Sequence, residues 1–250
     1  MSSPYGPSAR VYDALFRDKD YRGAVGRLRR IIREAHPTAH RLLDVGCGTG
    51  RHLEHLRRDF AVEGLDASPS MLTVARARCP GIVLHRGDLV GFDLGRTFDV
   101  VTCLLGSIGY ARTLPRLARA MRAMARHVEP GGLLVIEPWV TPDRFVTGRV
   151  VFDRADEPDV KVARMYRTAR RGAISVFDSH YLVAGPTGIE HFTERQELGL
   201  FTPTQYRAAL RAAGLRLLPV VGDLFGYGLY AARKPAVASR TDRVRRRGRV

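Results

Sequence analysis

The residues with the clearest chemical potential are five small ones in a row, Gly46-Cys47-Gly48-Thr49-Gly50, and an acid 16 positions beyond them, Asp66. A glycine-rich turn between a strand and a helix lets the backbone approach a ligand where a Cβ would clash. The helix that follows opens with unpaired N–H groups. An acid ending the second strand of an open parallel sheet lies beside such a loop and can accept both hydroxyls of a ribose. Together they suit an adenosine-like ligand. The dinucleotide fingerprint needs a third glycine at position 51, where this chain has Arg51. Asp44, just before the loop, could hold an ammonium group, which a pyrophosphate cofactor would not need. Both features point away from NAD and toward S-adenosylmethionine (SAM). Farther along, Asp88 of Gly87-Asp88-Leu89 could accept from the adenine amino group.

Such residues need alternating strands and helices to position them, and the first half of the chain has that rhythm. Residues 10–35 read as helical, with Val11, Leu15 and Phe16 clustered and Ala24, Leu28, Ile31, Ile32 and Ala35 recurring at helical spacing until Pro37. A strand over 42–45 enters the glycine loop, and Leu53, Leu56 and Phe60 continue as helix. Strand 61–65, helix 68–78 (Ser68 as N-cap, Pro69 in the first turn) and strand 82–85 follow. Strand 99–105, helix 114–127, the turn Pro130-Gly131-Gly132 and strand 133–137 complete the series. Strands separated by helices mean βαβ units and a parallel sheet. After Pro138 the pattern turns to β over 149–153, 160–167, 173–183 and 189–200, with turns at Arg171-Gly172 and Gly185-Pro186-Thr187-Gly188. A helix over 203–213 ends at Gly214, and runs 215–221 and 226–232 could close the sheet as an antiparallel pair.

The remaining composition excludes several classes. At 250 residues, 45% hydrophobic and 26% charged, the chain can bury a sizeable core. No apolar run approaches the roughly 20 residues needed to span a bilayer, and the N-terminus lacks the basic flank and apolar stretch of a signal peptide. Cys47, Cys79 and Cys103 are scattered and odd in number, so no metal pair or disulfide framework is expected and a reducing cytoplasm is the default location. The net charge of +16 is uneven: residues 233–250 carry +7 of it, and only 3 of 41 basic residues are Lys. That terminal stretch reads as a solvated, disordered tail. A nucleic-acid binder would interleave aromatics with its arginines or show a recognised module, and neither is present. A basic surface still favours a phosphorylated ligand.

The motifs LLDVGCGTG (42–50), GLDAS (64–68), GDL (87–89) and EPGG (129–132) resemble the class I SAM-dependent methyltransferases. KDY (19–21), GTGRHLEHL (48–56), GSIGY (106–110), EPW (137–139), HYLVAGP (180–186) and LFTPTQY (200–206) narrow the likeness to the TDP-amino-sugar N,N-dimethyltransferases, over roughly residues 5–232. The resemblance implies an α/β fold with a Rossmann-like sheet and an antiparallel β insertion after the fifth strand. It implies one domain over 1–232, with 139–200 forming the substrate side. The expected reaction is SAM-dependent N-methylation, run twice, of the amine of a TDP-linked deoxyamino sugar in antibiotic biosynthesis. The competing readings are a class I methyltransferase for another small amine or hydroxyl, a nucleic-acid binder, and an NAD oxidoreductase. No metal, membrane or specific nucleic acid is expected, and a homodimer is one assembly open to the chain.

The resemblance also implies roles. Tyr12 and Tyr21 would close over the methionine end of SAM, Gly46 and Gly48 would line the loop, and Asp66 would take the ribose. Asp88 and Leu89 would frame the adenine, and Leu104 would lie near the sulfonium. Tyr110 sits where the family places a Tyr or His by the acceptor nitrogen, as an orienting group or proton relay. Tyr5 and Trp139 would be the aromatic elements of the sugar-nucleotide pocket, with Arg149 and Arg164 candidates for the diphosphate and Tyr227 a further substrate-binding residue. Tyr12 and Trp139 also read as core residues, His52 as packing or capping, His180 as strand surface or ligand contact, and each arginine as solvated surface. The chain departs from the family at Asp66, where relatives carry Glu, at Trp139-Val140, where they carry two tryptophans, and at Tyr227, where they carry an arginine.

Overall fold

The computed structural model describes residues 5–219 and 222–236, so most of the expected tail, 237–250, lies outside the described residues. Its centre is a sheet of seven strands: β1 (Arg41–Val45), β2 (Ala61–Asp66), β3 (Val83–Arg86), β4 (Phe98–Cys103), β5 (Val128–Ile136), β10 (Arg216–Leu218) and β11 (Tyr230–Arg233). They lie in the order β3-β2-β1-β4-β5-β11-β10. The first five are parallel, and β11 and β10 join antiparallel. A strand covered on both faces must be apolar throughout rather than alternating. β4 is buried at every residue, and its two polar side chains are hydrogen-bonded: Asp99 accepts the His40 and Arg41 N–H groups and Thr102 donates to Asp44.

Six helices are described: α1 (Ala9–Leu15), α2 (Tyr21–Ala35), α3 (Arg51–Leu56), α4 (Pro69–Arg78), α5 (Leu114–His127) and α6 (Pro203–Ala212). One core cluster packs Met121 and Met124 of α5 and Leu210 of α6 on one face of the sheet. On the other, Leu28 and Ile32 of α2 meet Leu53 and Leu56 of α3. The strand order reverses between β1 and β4, so the chain leaves these neighbours toward opposite faces. A crevice opens there at their carboxyl ends.

The insertion forms a second sheet of four antiparallel strands in chain order, β6 (Val150–Asp156), β7 (Lys161–Arg171), β8 (Ile174–Gly185) and β9 (Gly188–Gly199). One of its faces closes the crevice from above. Among the described residues, no helix is long and apolar enough to cross a membrane.

Three local expectations change. The helix read over 10–35 is two helices, because Asp20 caps α2 by accepting the Gly23 N–H at 2.8 Å. β5 starts at Val128, earlier than expected, and absorbs Pro130-Gly131-Gly132, with a register shift against β4. Residues 226–229 are loop, since Gly226 and Gly228 both have positive φ, and β10 is only three residues long.

Candidate active site

The crevice is a cavity of about 810 Å³. Its floor is the glycine loop. Gly46 has φ +77°, and a Cβ there would stand 2.7 Å from the Ser107 side chain. Gly48 has φ +55°, and its missing Cβ faces open space, which is the cradle a nucleoside would fill. Asp66 ends β2 beside this loop with both carboxylate oxygens fixed: one accepts the Gly48 N–H and the other the Ser68 N–H, each at 2.8 Å. Burial pushes its carboxyl up, and the two backbone N–H groups oppose that push. One acid thus shapes the loop and keeps lone pairs for a diol. Asp88 and Leu89 border the same end. Asp88 caps the Val90 N–H at 2.9 Å and meets Arg116 at 3.1 Å.

Asp44 does something other than expected. It is 1% exposed, does not border the cavity, and accepts from Thr102 Oγ1 at 2.7 Å. Burial pushes its carboxyl up to about 7. Its place under the loop serves the fold, and it does not reach a ligand's ammonium.

At the far end of the cofactor side, Tyr21 packs edge-on against His52, with ring centroids 5.1 Å apart. His52 is buried, its Nε2 has no partner, and desolvation pulls its pKa down to about 3, so the ring is neutral. Lys19 arrives through the helix break, with Nζ 5.5 Å from the centroid of Phe16 and 5.4 Å from that of Phe225. Every arginine bordering the cavity has a carboxylate within 4.0 Å, whereas Lys19 has none among the described residues. Burial lowers its pKa. An unpaired, half-desolvated cation of this kind suits an anionic group.

Three tyrosines close the middle. The Tyr110 hydroxyl donates to the Tyr5 hydroxyl at 2.7 Å, and Tyr12 meets Tyr5 edge-on with ring centroids 5.6 Å apart. Leu104, just past the end of β4, borders the same space. Burial pushes Tyr5, Tyr12 and Tyr110 well above the usual phenol range. None of them is a base near neutral pH.

On the acceptor side, Trp139 stacks on Tyr227, with centroids 5.8 Å apart and planes 28° from parallel, and its indole N–H donates to Ser175 at 3.1 Å. Gly106, at φ +73°, leaves the room this needs, since a Cβ there would stand 2.6 Å from the indole. Arg164 borders the cavity, but its guanidinium is already engaged. Nε donates to Asp153 at 2.9 Å, Nη2 reaches the same oxygen, and the group lies over Phe16 and Tyr166. Arg149 is not brought to the cavity: it is exposed at the start of β6, where its backbone N–H binds Thr168 Oγ1. The cations near the mouth are instead Arg112, Arg116 and Arg195, which 38 scattered arginines hid in the sequence. His180 is on the strand surface, 3.4 Å from His191. On another part of the surface, His36, Asp99 and Glu129 approach one another, but Asp99 accepts the His40 and Arg41 N–H groups and Glu129 takes Arg41.

A methyltransferase-domain family profile matches residues 42–132. The chain is 43% identical to the dTDP-4-amino-2,3,4,6-tetradeoxy-D-glucose N,N-dimethyltransferase of Saccharopolyspora spinosa, over 92% of this chain and 94% of that one. It is 42% identical to the dTDP-3-amino-3,6-dideoxy-alpha-D-glucopyranose N,N-dimethyltransferase of Streptomyces fradiae, over 90% of each. This chain belongs to the amino-sugar N-methyltransferase family. A SAM-bound amino pentose methyltransferase from Micromonospora echinaspora superposes on it with a TM-score of 0.79 at 41% identity, covering 94% of this chain and 99% of that one. This family member is therefore a SAM-dependent N-methyltransferase of class I fold, as its loop and motifs led one to expect. The NAD reading falls with it.

Proposed function

We propose that this N-methyltransferase dimethylates the amine of a dTDP-linked deoxyamino sugar. The observation that supports the reading most is one continuous cavity. It has a nucleoside cradle at Gly48 and Asp66, a tyrosine cluster in the middle, and a Trp139–Tyr227 stack with arginines near its mouth. The named relatives act on dTDP-3-amino and dTDP-4-amino sugars, so both positions are candidates. The side chains of Arg112, Arg116 and Arg195 border the cavity and are more exposed than that of Arg164, so the phosphate charge falls to them, with their present carboxylate pairs giving way in part.

Bound SAM supplies a sulfonium methyl that an amine lone pair takes in line with the departing sulfur. Asp66 holds the ribose, Asp88 and Leu89 frame the adenine, and Lys19 with neutral His52 holds the carboxylate of the methionine end. Tyr12 and Tyr21 cover that end and keep water out. Tyr110, steadied by Tyr5, points the acceptor nitrogen. Positioning of this kind is worth roughly 7–11 kcal/mol in well-oriented systems. Burial keeps the hydroxyls of Tyr5, Tyr12 and Tyr110 protonated, so the amine arrives unprotonated and its proton leaves to solvent after the transfer.

Two outcomes check this. Mass spectra of products from the purified protein, SAM and a panel of dTDP-amino sugars should show one and then two added methyl groups; no methylation of any member would move the acceptor to another amine or a hydroxyl. Tyr110→Phe should lower kcat less than about tenfold, because a general base removed would cost about 10²–10⁴. In both proteins kcat/KM should rise with pH until the amine itself is neutral. A loss of several orders of magnitude, or a pH profile that differs between them, would make Tyr110 the base.

A further inference from the structure

Most polar side chains buried around the cavity are already matched: Asp66 by Gly48 and Ser68, Arg164 by Asp153, the Trp139 indole by Ser175. Gln196 is not. It is 7% exposed, borders the cavity, and its amide nitrogen has no hydrogen-bond partner. Native proteins seldom leave such a group unmatched, because it has given up water for nothing. A ligand is the natural partner.

The strand register says where this amide sits. Gln196 on β9 lies opposite Phe177 on β8. Ser179, two residues along β8 and therefore on the same face, is buried and borders the cavity too. Leu198, two residues along β9, lies 3.0 Å from where a Cβ on Gly109 would stand, so this stretch packs against the turn that carries Tyr110. In the other direction Glu194 accepts from the Ser8 N–H and hydroxyl, and so anchors the start of α1 just past Tyr5. The two segments that supply the tyrosine pair thus flank Gln196. Neither Gln196 nor Ser179 carries charge, which fits a neutral group that both donates and accepts.

We infer that Gln196, with Ser179 beside it, binds a ring hydroxyl of the acceptor sugar next to the reacting amine and makes this enzyme select acceptors that keep that hydroxyl. The inference rests on the amino-sugar reading above. A site built to hydrogen-bond a substrate hydroxyl rejects the deoxy analogue strongly, because its own polar groups are then left unpaired.

The test uses dTDP-3-amino-3,6-dideoxyglucose and its 4-deoxy counterpart, which differ only by the hydroxyl beside the amine-bearing carbon. Wild-type protein should prefer the hydroxylated acceptor by at least about a hundredfold in kcat/KM. Gln196→Leu, similar in size but without the amide, should lose roughly 10–100-fold on the hydroxylated acceptor and stay within about threefold of wild type on the deoxy one. SAM affinity by calorimetry should be unchanged, which verifies folding independently of turnover. An equal loss on both acceptors, the result if the amide met the thymine or only supported the sheet, overturns the inference. So does a wild-type enzyme that makes no distinction or prefers the deoxy sugar. If wild type methylates neither of these but does methylate a dTDP-4-amino sugar, this inference fails alone; if it methylates no dTDP-amino sugar, the amino-sugar reading fails and this inference with it.

Discussion

Asp66→Ala should leave a folded protein that no longer holds SAM, with affinity lower by at least about a hundredfold. Hydrogen bonds to a charged partner contribute about 1.5–3 kcal/mol each, and a ribose diol offers two. The substitution also strips the Gly48 and Ser68 N–H groups of their shared acceptor, so the glycine loop loses its template as well as its ligand contact. Asp66→Asn separates the two effects. An amide keeps one acceptor oxygen for the loop or the ribose but turns an NH₂ toward the other side, so it should retain more of the fold while still binding SAM poorly. Calorimetric titration of SAM, with a thermal melt of each variant, reads both. Wild-type affinity in a folded Asp66→Ala protein would remove the cradle from the account.

That acid was legible because its partner was contiguous: five small residues, then a strand, then a carboxylate, in a spacing that a parallel sheet converts into adjacency. Most of the β/α alternation was legible for the same reason, since each element advertises its period locally. What could not be read was anything that depends on residues meeting from distant segments. Arg164 faces the cavity as expected, yet only its meeting with Asp153 across β6 and β7 shows its charge to be already matched. Arg149, 15 positions earlier, falls outside. One helix became two because Asp20 competes for the Gly23 N–H. That capping signal was present in the sequence but masked by apolar residues continuing in helical register on both sides. Gln196 gave no signal, because a glutamine in an alternating strand looks like solvent face until the second sheet folds over the crevice. His52 fared better: it does pack, as expected, and its ring also borders the ligand space.

At Glu137, nothing in the sequence EPW distinguishes a structural acid from a catalytic one. The structure does. Glu137 is fully buried at the end of β5 and does not border the cavity. Its two oxygens accept the Leu105 N–H at 2.7 Å and the Phe225 N–H at 3.0 Å. It therefore ties the loop after β4, where Leu105 is held at φ +50°, to the segment that presents Phe225 and Tyr227. Glu137→Ala leaves two buried donors unmatched, at about 1–3 kcal/mol each. With about 2–4 °C per kcal/mol for a chain of this size, melting should fall by roughly 4–24 °C. The KM for the acceptor should rise more than the SAM dissociation constant, since Tyr227 and its stack on Trp139 lose their support. The same carboxyl sets a pH dependence. Burial pushes Glu137 up to about 7, and Asp44 likewise to about 7, against about 4 in an unfolded chain. Between those values the native state keeps protons that the unfolded state has released. The stabilisation from these groups is therefore complete at the acid end of the window and is lost as pH rises through 7. Thermal melts of wild type should accordingly be lower at pH 8 than at pH 5.5. Glu137→Gln, which cannot titrate and can accept only one of the two N–H bonds, should melt lower than wild type at both and show a shallower slope. A slope identical to wild type in that variant would mean the buried acid does not hold its proton.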